Sequence, residues 1–243
     1  MKNAAFSIEE LFRFLDAGVS AFHSTAAASA ILEAEGYVNC PESAAWELAP
    51  GGKYYTTRNG SAVLAWRMPK GELTGWHVTA SHSDSPTWRI KQLDGGKDTV
   101  FAKAETEGYG GMICSTWMDR PLSVAGRVLI KENNAITSRL LTLDRDLLMI
   151  PSVAIHMNRE VNDKASYNKQ VDMLPLLGGA AEEGVLKKLI AAELQVAEEQ
   201  ILGSDLFLCI REKAAVWGCN EEFISSGRLD DQQLSLIHIS EPT

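Results

Sequence analysis

Gly75-Trp76-His77-Val78-Thr79-Ala80-Ser81-His82-Ser83-Asp84-Ser85-Pro86 decides how the rest of this chain is read. Trp76, Val78 and Ala80 fall on one side of an alternating run, which predicts a strand ending in Ser81–Asp84 before Pro86 stops it. Side chains two apart on a strand share a face, so His82 and Asp84 point the same way and His77 points the other. An imidazole and a carboxylate so placed suit a metal-ligand histidine with an acidic neighbour that orients a ligand or the attacking water. They equally suit a hydrogen-bonded strand-end histidine with Asp84 capping the turn into Ser85–Pro86.

The 243 residues, 45% hydrophobic and 23% charged, allow one large domain or two modest ones. A net charge of −9, with both signs mixed along the chain, argues against a nucleic-acid footprint or a polybasic membrane patch. Small molecules or peptides are the partners this leaves. The N-terminus lacks a basic start followed by an apolar core, and no apolar run approaches the roughly 18 residues that cross a bilayer, so the expected location is cytoplasmic. Cys40, Cys114, Cys209 and Cys219 lie far apart with no C-x-x-C pair, which predicts reduced thiols rather than a zinc knuckle or a disulfide framework.

Outward from the central stretch, Ser7-Ile8-Glu9-Glu10 is a capping box, and Ile8, Leu11, Phe12 and Leu15 follow at helical spacing. A second helix is expected from caps at Ser24 and Thr25 through to Glu35, with Gly36 as its left-handed stop and His23 as a capping or packing residue. Asn59-Gly60 between Lys53–Thr57 and Ser61–Trp66 predicts a β-hairpin. After a turn cluster at Asp94–Asp98, short β-prone runs at 99–104, 124–131 and 136–143 suggest a β-rich second unit. Ala180 to Glu193 reads as a helix; Gly203 and Ser204 break a following one, and Leu206–Ile210 reads as a buried strand.

Two more stretches end apolar runs in chemistry. Ile150-Pro151-Ser152-Val153-Ala154-Ile155-His156 closes on a histidine, which alone fits a core or interface residue. Phe223-Ile224-Ser225-Ser226-Gly227-Arg228-Leu229-Asp230-Asp231 closes on a carboxylate pair. A carboxylate can bridge two repelling cations with its two oxygens, and Asp230 fits that position. A turn aspartate paired with Arg228 fits it as well.

Together these segments resemble the M18 family of metallo-aminopeptidases, of the aspartyl aminopeptidase type. The resemblance is carried by Ser81–Pro86; by Tyr109-Gly110-Gly111 with Thr116-Trp117 and Asp119-Arg120; by Ala125-Gly126-Arg127-Val128; by Ile150-Pro151 with Ala154-Ile155-His156; and by Glu222-Phe223-Ile224 with Arg228-Leu229-Asp230. Five blocks in order are far more specific than any one of them. The resemblance implies an α/β fold: a zinc-peptidase domain over residues 1–92 and 218–233, with a β-rich dimerisation domain, 93–217, inserted into it.

It further implies two Zn2+ ions per subunit of the complete enzyme, with His82 on one zinc, Asp230 bridging both, and Asp84 supporting the site. His156 would be either a metal ligand or, preferred here, a substrate contact lent to a neighbouring subunit of a homo-oligomer. The implied reaction removes the N-terminal residue, possibly acidic, from a peptide by metal-activated water. In the family an adjacent glutamate pair, a further aspartate and a histidine ligand should follow Asp230, and none does. Residues 234–243 instead look like translated sequencing adapter, with His238 no ligand. The expectation is therefore the front part of a longer enzyme, inactive by itself, the alternative being a non-catalytic oligomerisation scaffold of the same descent.

Overall fold

The computed structural model describes residues 7–93, 96–97, 100–179 and 184–240. The turn expected at Asp94, Gly95 and Asp98 and the start of the helix expected from Ala180 lie outside them. The chain divides into two compact units, one built from residues up to Ser85 together with those from Glu212 onward, the other from Pro86–Arg211.

The first unit begins with α1, Ile8–Ala17, whose Ser7 and Glu10 satisfy each other's free amides as the capping box requires. Helix α2, Ala21–Ala34, is capped by Ser20 rather than by Ser24 or Thr25, which are buried inside its first turns. His23 completes that cap, its Nδ1 2.8 Å from the Ser20 hydroxyl, and burial lowers its pKa below the usual histidine range. Strand β1, Val38–Asn39, runs parallel to β2, Lys53–Arg58, which pairs antiparallel with β3, Ala62–Arg67. Asn59 and Gly60 both hold positive φ in the connecting turn, the conformation this dipeptide favours.

Residues 74–86 form neither helix nor paired strand. The expected strand is thus corrected: alternation can select strand geometry, but a strand also needs a ladder, and among the described residues none pairs with this stretch. Trp76 is 53% and Val78 80% exposed, so the alternating side chains do not sort into a buried and a wet face either.

The second unit contains β4, Thr87–Ile90; β5, Gly96–Lys97; β6, Ala102–Lys103; β7, Thr106–Tyr109; β8, Leu122–Glu132; β9, Ala135–Thr142; β10, Leu176–Gly178; α3, Val185–Leu194; and β11, Ile201–Ile210. Five strands form an antiparallel sheet in the order β7-β4-β11-β8-β9, and β10-β6-β5 form a smaller one. Asn133 and Asn134, both at positive φ, close the β8–β9 hairpin in two residues. One face of the large sheet carries Val124, Val128, Ile130, Leu206 and Leu208 into a core with Leu186 and Ile190 of α3. Gly203 and Ser204 do not break a helix but lie within β11; Gln195 ends α3 in the left-handed region, and a single 3-10 turn at Glu198–Gln200 leads into the strand.

The chain then returns to the first unit through the hairpin of β12, Ala215–Trp217, and β13, Phe223–Ser225, and ends in α4, Leu229–Ser240. Phe14 of α1, Ala28 of α2 and Leu236 of α4 form one buried cluster, and Leu32, Tyr37 and Tyr55 form a second.

Candidate metal centre

Asp230 and Asp231 stand where an irregular stretch hands over to a helix. Arg228 holds a positive φ of 67°, and its guanidinium donates from Nε and Nη2 to the Leu15 carbonyl at 3.2 and 3.0 Å, which ties the entry of α4 to the last turns of α1. Asp230 and Asp231 then leave helical φ/ψ before α4 settles. This departure brings the carboxylates of Asp230 and Asp231 to residue 82, respectively 148 and 149 positions away along the chain.

The resulting cluster joins His82, Asp84, Asp230 and Asp231. His82 Nε2 lies 3.1 Å from Asp230 Oδ1, and the His82 amide donates to Asp231 Oδ2 at 3.3 Å. On the other ring edge, His82 Nδ1 lies 3.0 Å from the Asp84 carbonyl and 3.3 Å from Asp84 Oδ1. A carbonyl oxygen only accepts, so Nδ1 carries the proton. In the neutral ring Nε2 would then aim its lone pair at a carboxylate oxygen, an arrangement that needs positive charge between them. Burial of the ring works against a second proton, yet the Asp84 carbonyl and carboxylate, Asp231 and Asp230 together raise the His82 pKa above the usual histidine range. These contacts favour the protonated, positively charged form of His82.

The pair is open to solvent, with the Asp230 side chain 93% exposed. Among the described residues no group of three or more His, Cys, Asp and Glu is placed to hold a metal ion. Asp231 is the site residue that sequence reasoning left without a role. Its adjacency to Asp230 was visible, but nothing local says that it receives the His82 amide. His77 is exposed and takes no part in these contacts.

His156 belongs to the second unit, exposed within turns that follow Pro151. Its loop is anchored by Asp119, at positive φ, whose Oδ1 accepts the Ser152 amide at 2.7 Å and whose Oδ2 accepts the Ser152 hydroxyl. The Ser152 hydroxyl and then its amide hold the Asp119 carboxyl below the ordinary aspartate range, while slight burial opposes them. A depressed folded-state pKa contributes stability above the unfolded value, near 3.9, and loses it as pH falls through the folded value. Asp119→Asn, which tolerates positive φ, is therefore expected to cost about 1 kcal/mol or less at pH 6, where the group is exposed and screened. That difference from wild type should shrink as pH falls through the lowered folded-state pKa of the carboxyl, as urea titrations at pH 6 and at successively lower pH will show.

Comparison with known proteins extends this picture. The family described as aminopeptidase I zinc metalloprotease (M18) matches residues 14–240. The probable M18 family aminopeptidase 2 of Clostridium novyi is 40% identical over 98% of this chain and 57% of its own length. In the Ape4 and Nbr1 complex solved by cryo-electron microscopy, one chain is similar with a TM-score of 0.89 and 29% identity over 95% of this chain and 49% of that one. The S. cerevisiae mApe1 dodecamer shares the fold, at TM-score 0.78 and 23% identity over 95% of this chain and 54% of that one. The chain thus spans about half the length of the relatives it matches.

Proposed function

We propose, from the premise that this chain belongs to the aminopeptidase I zinc metalloprotease (M18) family, that it carries one corner of the active site of a zinc aminopeptidase. The observation that supports this reading is that His82 Nε2 stands 3.1 Å from Asp230 Oδ1, across 148 positions of chain. Two donors on one tetrahedral zinc, each bonded at about 2.05 Å, stand about 3.3 Å apart, so the pair fits a shared ion.

In this reading His82 and Asp230 would hold the zinc, His82 as a ligand and the Asp230 carboxylate as the group shared between two ions. Asp84 holds Nδ1–H and so fixes the tautomer that leaves Nε2 available. Asp231 fixes the backbone of the ligand histidine. Zinc held there would supply a water of pKa about 7 and a Lewis acid for a peptide carbonyl. Catalytic zinc takes three protein ligands, and this pair supplies two, so the chain alone holds metal weakly and hydrolyses nothing. His156 acts in trans as a contact for the peptide substrate within a homo-oligomer, a reading supported by its exposed loop and by the dodecameric relative. None of Cys40, Cys114, Cys209 and Cys219 is in a disulfide, which favours the cytoplasm.

The test measures metal content and aminopeptidase activity together. The intact gene's product should carry two zinc ions per subunit and lose N-terminal hydrolysis on chelation, whereas this 243-residue chain should release its metal under the same conditions. Hydrolysis indifferent to chelator overturns the metal reading. A product with neither metal nor activity is the scaffold alternative.

A further inference from the structure

The buried polar contacts beneath His82 and Asp230 converge on one side chain. Gln232, 1% exposed, directly follows the two aspartates that meet His82. Its amide nitrogen donates to the Gly18 carbonyl at 2.7 Å and to the Ser24 hydroxyl at 2.8 Å, and reaches the Ser83 carbonyl at 3.5 Å. Its oxygen, Oε1, has no hydrogen-bond partner. Gly18 is shaped to it, because a Cβ there would stand 2.4 Å from Oε1.

An orphaned, buried amide oxygen is unfavourable, and a methionine of similar volume would avoid it, so stability alone does not account for glutamine at this position. The amide does what hydrocarbon cannot. It ties the α1–α2 junction, the first turns of α2 and the turn bearing His82 to the residue that follows Asp230 and Asp231. One helical turn on, Ser235, 7% exposed, gives its hydroxyl to the His82 carbonyl at 3.2 Å and lies 3.1 Å from the Ser81 hydroxyl. Above this clamp the His82 and Asp230 side chains are 52% and 93% exposed, so packing does little to hold the two in register.

We infer that Gln232 is a positioning residue that sets the His82 turn against the Asp230–Asp231 carboxylates. Its purpose rests on the zinc reading above; its geometry does not. Gln232→Met keeps the volume and removes the donors. In hydrogen exchange of the metal-free chain, the variant's His82 amide and the peptide over residues 79–86 should exchange about tenfold faster than wild type. The hairpin over 53–67 and the sheet over 122–142 should be unchanged. Unaltered exchange over 79–86 overturns the inference, and so does equal acceleration over 53–67, which would make Gln232 a general prop of the fold. Should Gln232→Met not fold, Ser24→Ala, which removes an acceptor of the Gln232 amide, is read by the same exchange with the same two overturning results. Cobalt titration of wild type separates the two readings: a wild type that binds no cobalt, even as the intact gene's product, removes the zinc reading and leaves the exchange result standing.

Discussion

His82→Ala is expected to weaken zinc binding by about 100-fold or more, measured by competition with a chromophoric chelator in the product of the intact gene. Four ligands in a structural zinc site share roughly 10–16 kcal/mol of apparent binding energy, so removing one forfeits about 3 kcal/mol. Asp230→Asn should produce a comparable loss while keeping its shape, because it removes the charge that the cation answers. Asp84→Asn retains a backbone carbonyl for Nδ1, since that bond comes from the main chain, and should cost less, within the 10–100-fold typical of a group that orients a ligand. The ordering of the three variants is the informative result. The His82 side chain is half exposed, so His82→Ala should leave thermal unfolding nearly unchanged, and lost affinity cannot then be ascribed to a lost fold. Undiminished zinc affinity in His82→Ala would remove His82 from the ligand set.

Several elements of this fold were readable from short windows because their causes are local. The capping box at Ser7 and Glu10 and the hairpin at Asn59-Gly60 each need only neighbours within a few residues. The second helix was readable as a helix but not in its start. Ser20, Ser24 and Thr25 all have capping side chains, and burial of the latter two inside the helix decided for Ser20. The stretch 75–86 misled for a related reason: its alternation is real, but pairing depends on strands contributed from elsewhere, which no window contains. At 195–204 the left-handed Gln195 and the register of β11 against β8 cut the helical reading down to the 3-10 turn Glu198–Gln200. The centre divides the same way. His82 and Asp84 share a window, whereas the approach of Asp230 over 148 positions was inferred from the order of five blocks and not from any spacing. Asp231 and Gln232 could not be assigned at all, because each acts on a backbone atom of a distant segment, and backbone atoms leave no mark in a sequence.

Gly126→Ala is expected to destabilise the second unit by about 3 kcal/mol or more, lowering its melting temperature by about 10 °C. Gly126 lies in β8, an inner strand, opposite Leu206 of β11 on one side and Leu141 of β9 on the other. Its φ of 154° belongs to a region that L side chains rarely adopt. A Cβ there would stand 2.1 Å from the Asp205 carbonyl oxygen, and 3.0 Å from both Asp205 C and Leu206 Cα. All three atoms are backbone, so no side chain can swing aside. Relief would have to come from parting β8 and β11, which carry Val124, Val128, Leu206 and Leu208 into the core and the Arg127–Asp205 ion pair beside it. Gly203 in the facing strand provides the control. Nothing lies within 4 Å of a Cβ built there and its φ is ordinary, so Gly203→Ala should be neutral, or stabilising by about 0.5 kcal/mol through the unfolded chain. Calorimetry on the pair decides the matter: equal midpoints for Gly126→Ala and wild type would mean that β8 and β11 have room to move apart, and that the close approach at Gly126 is not what sets their spacing.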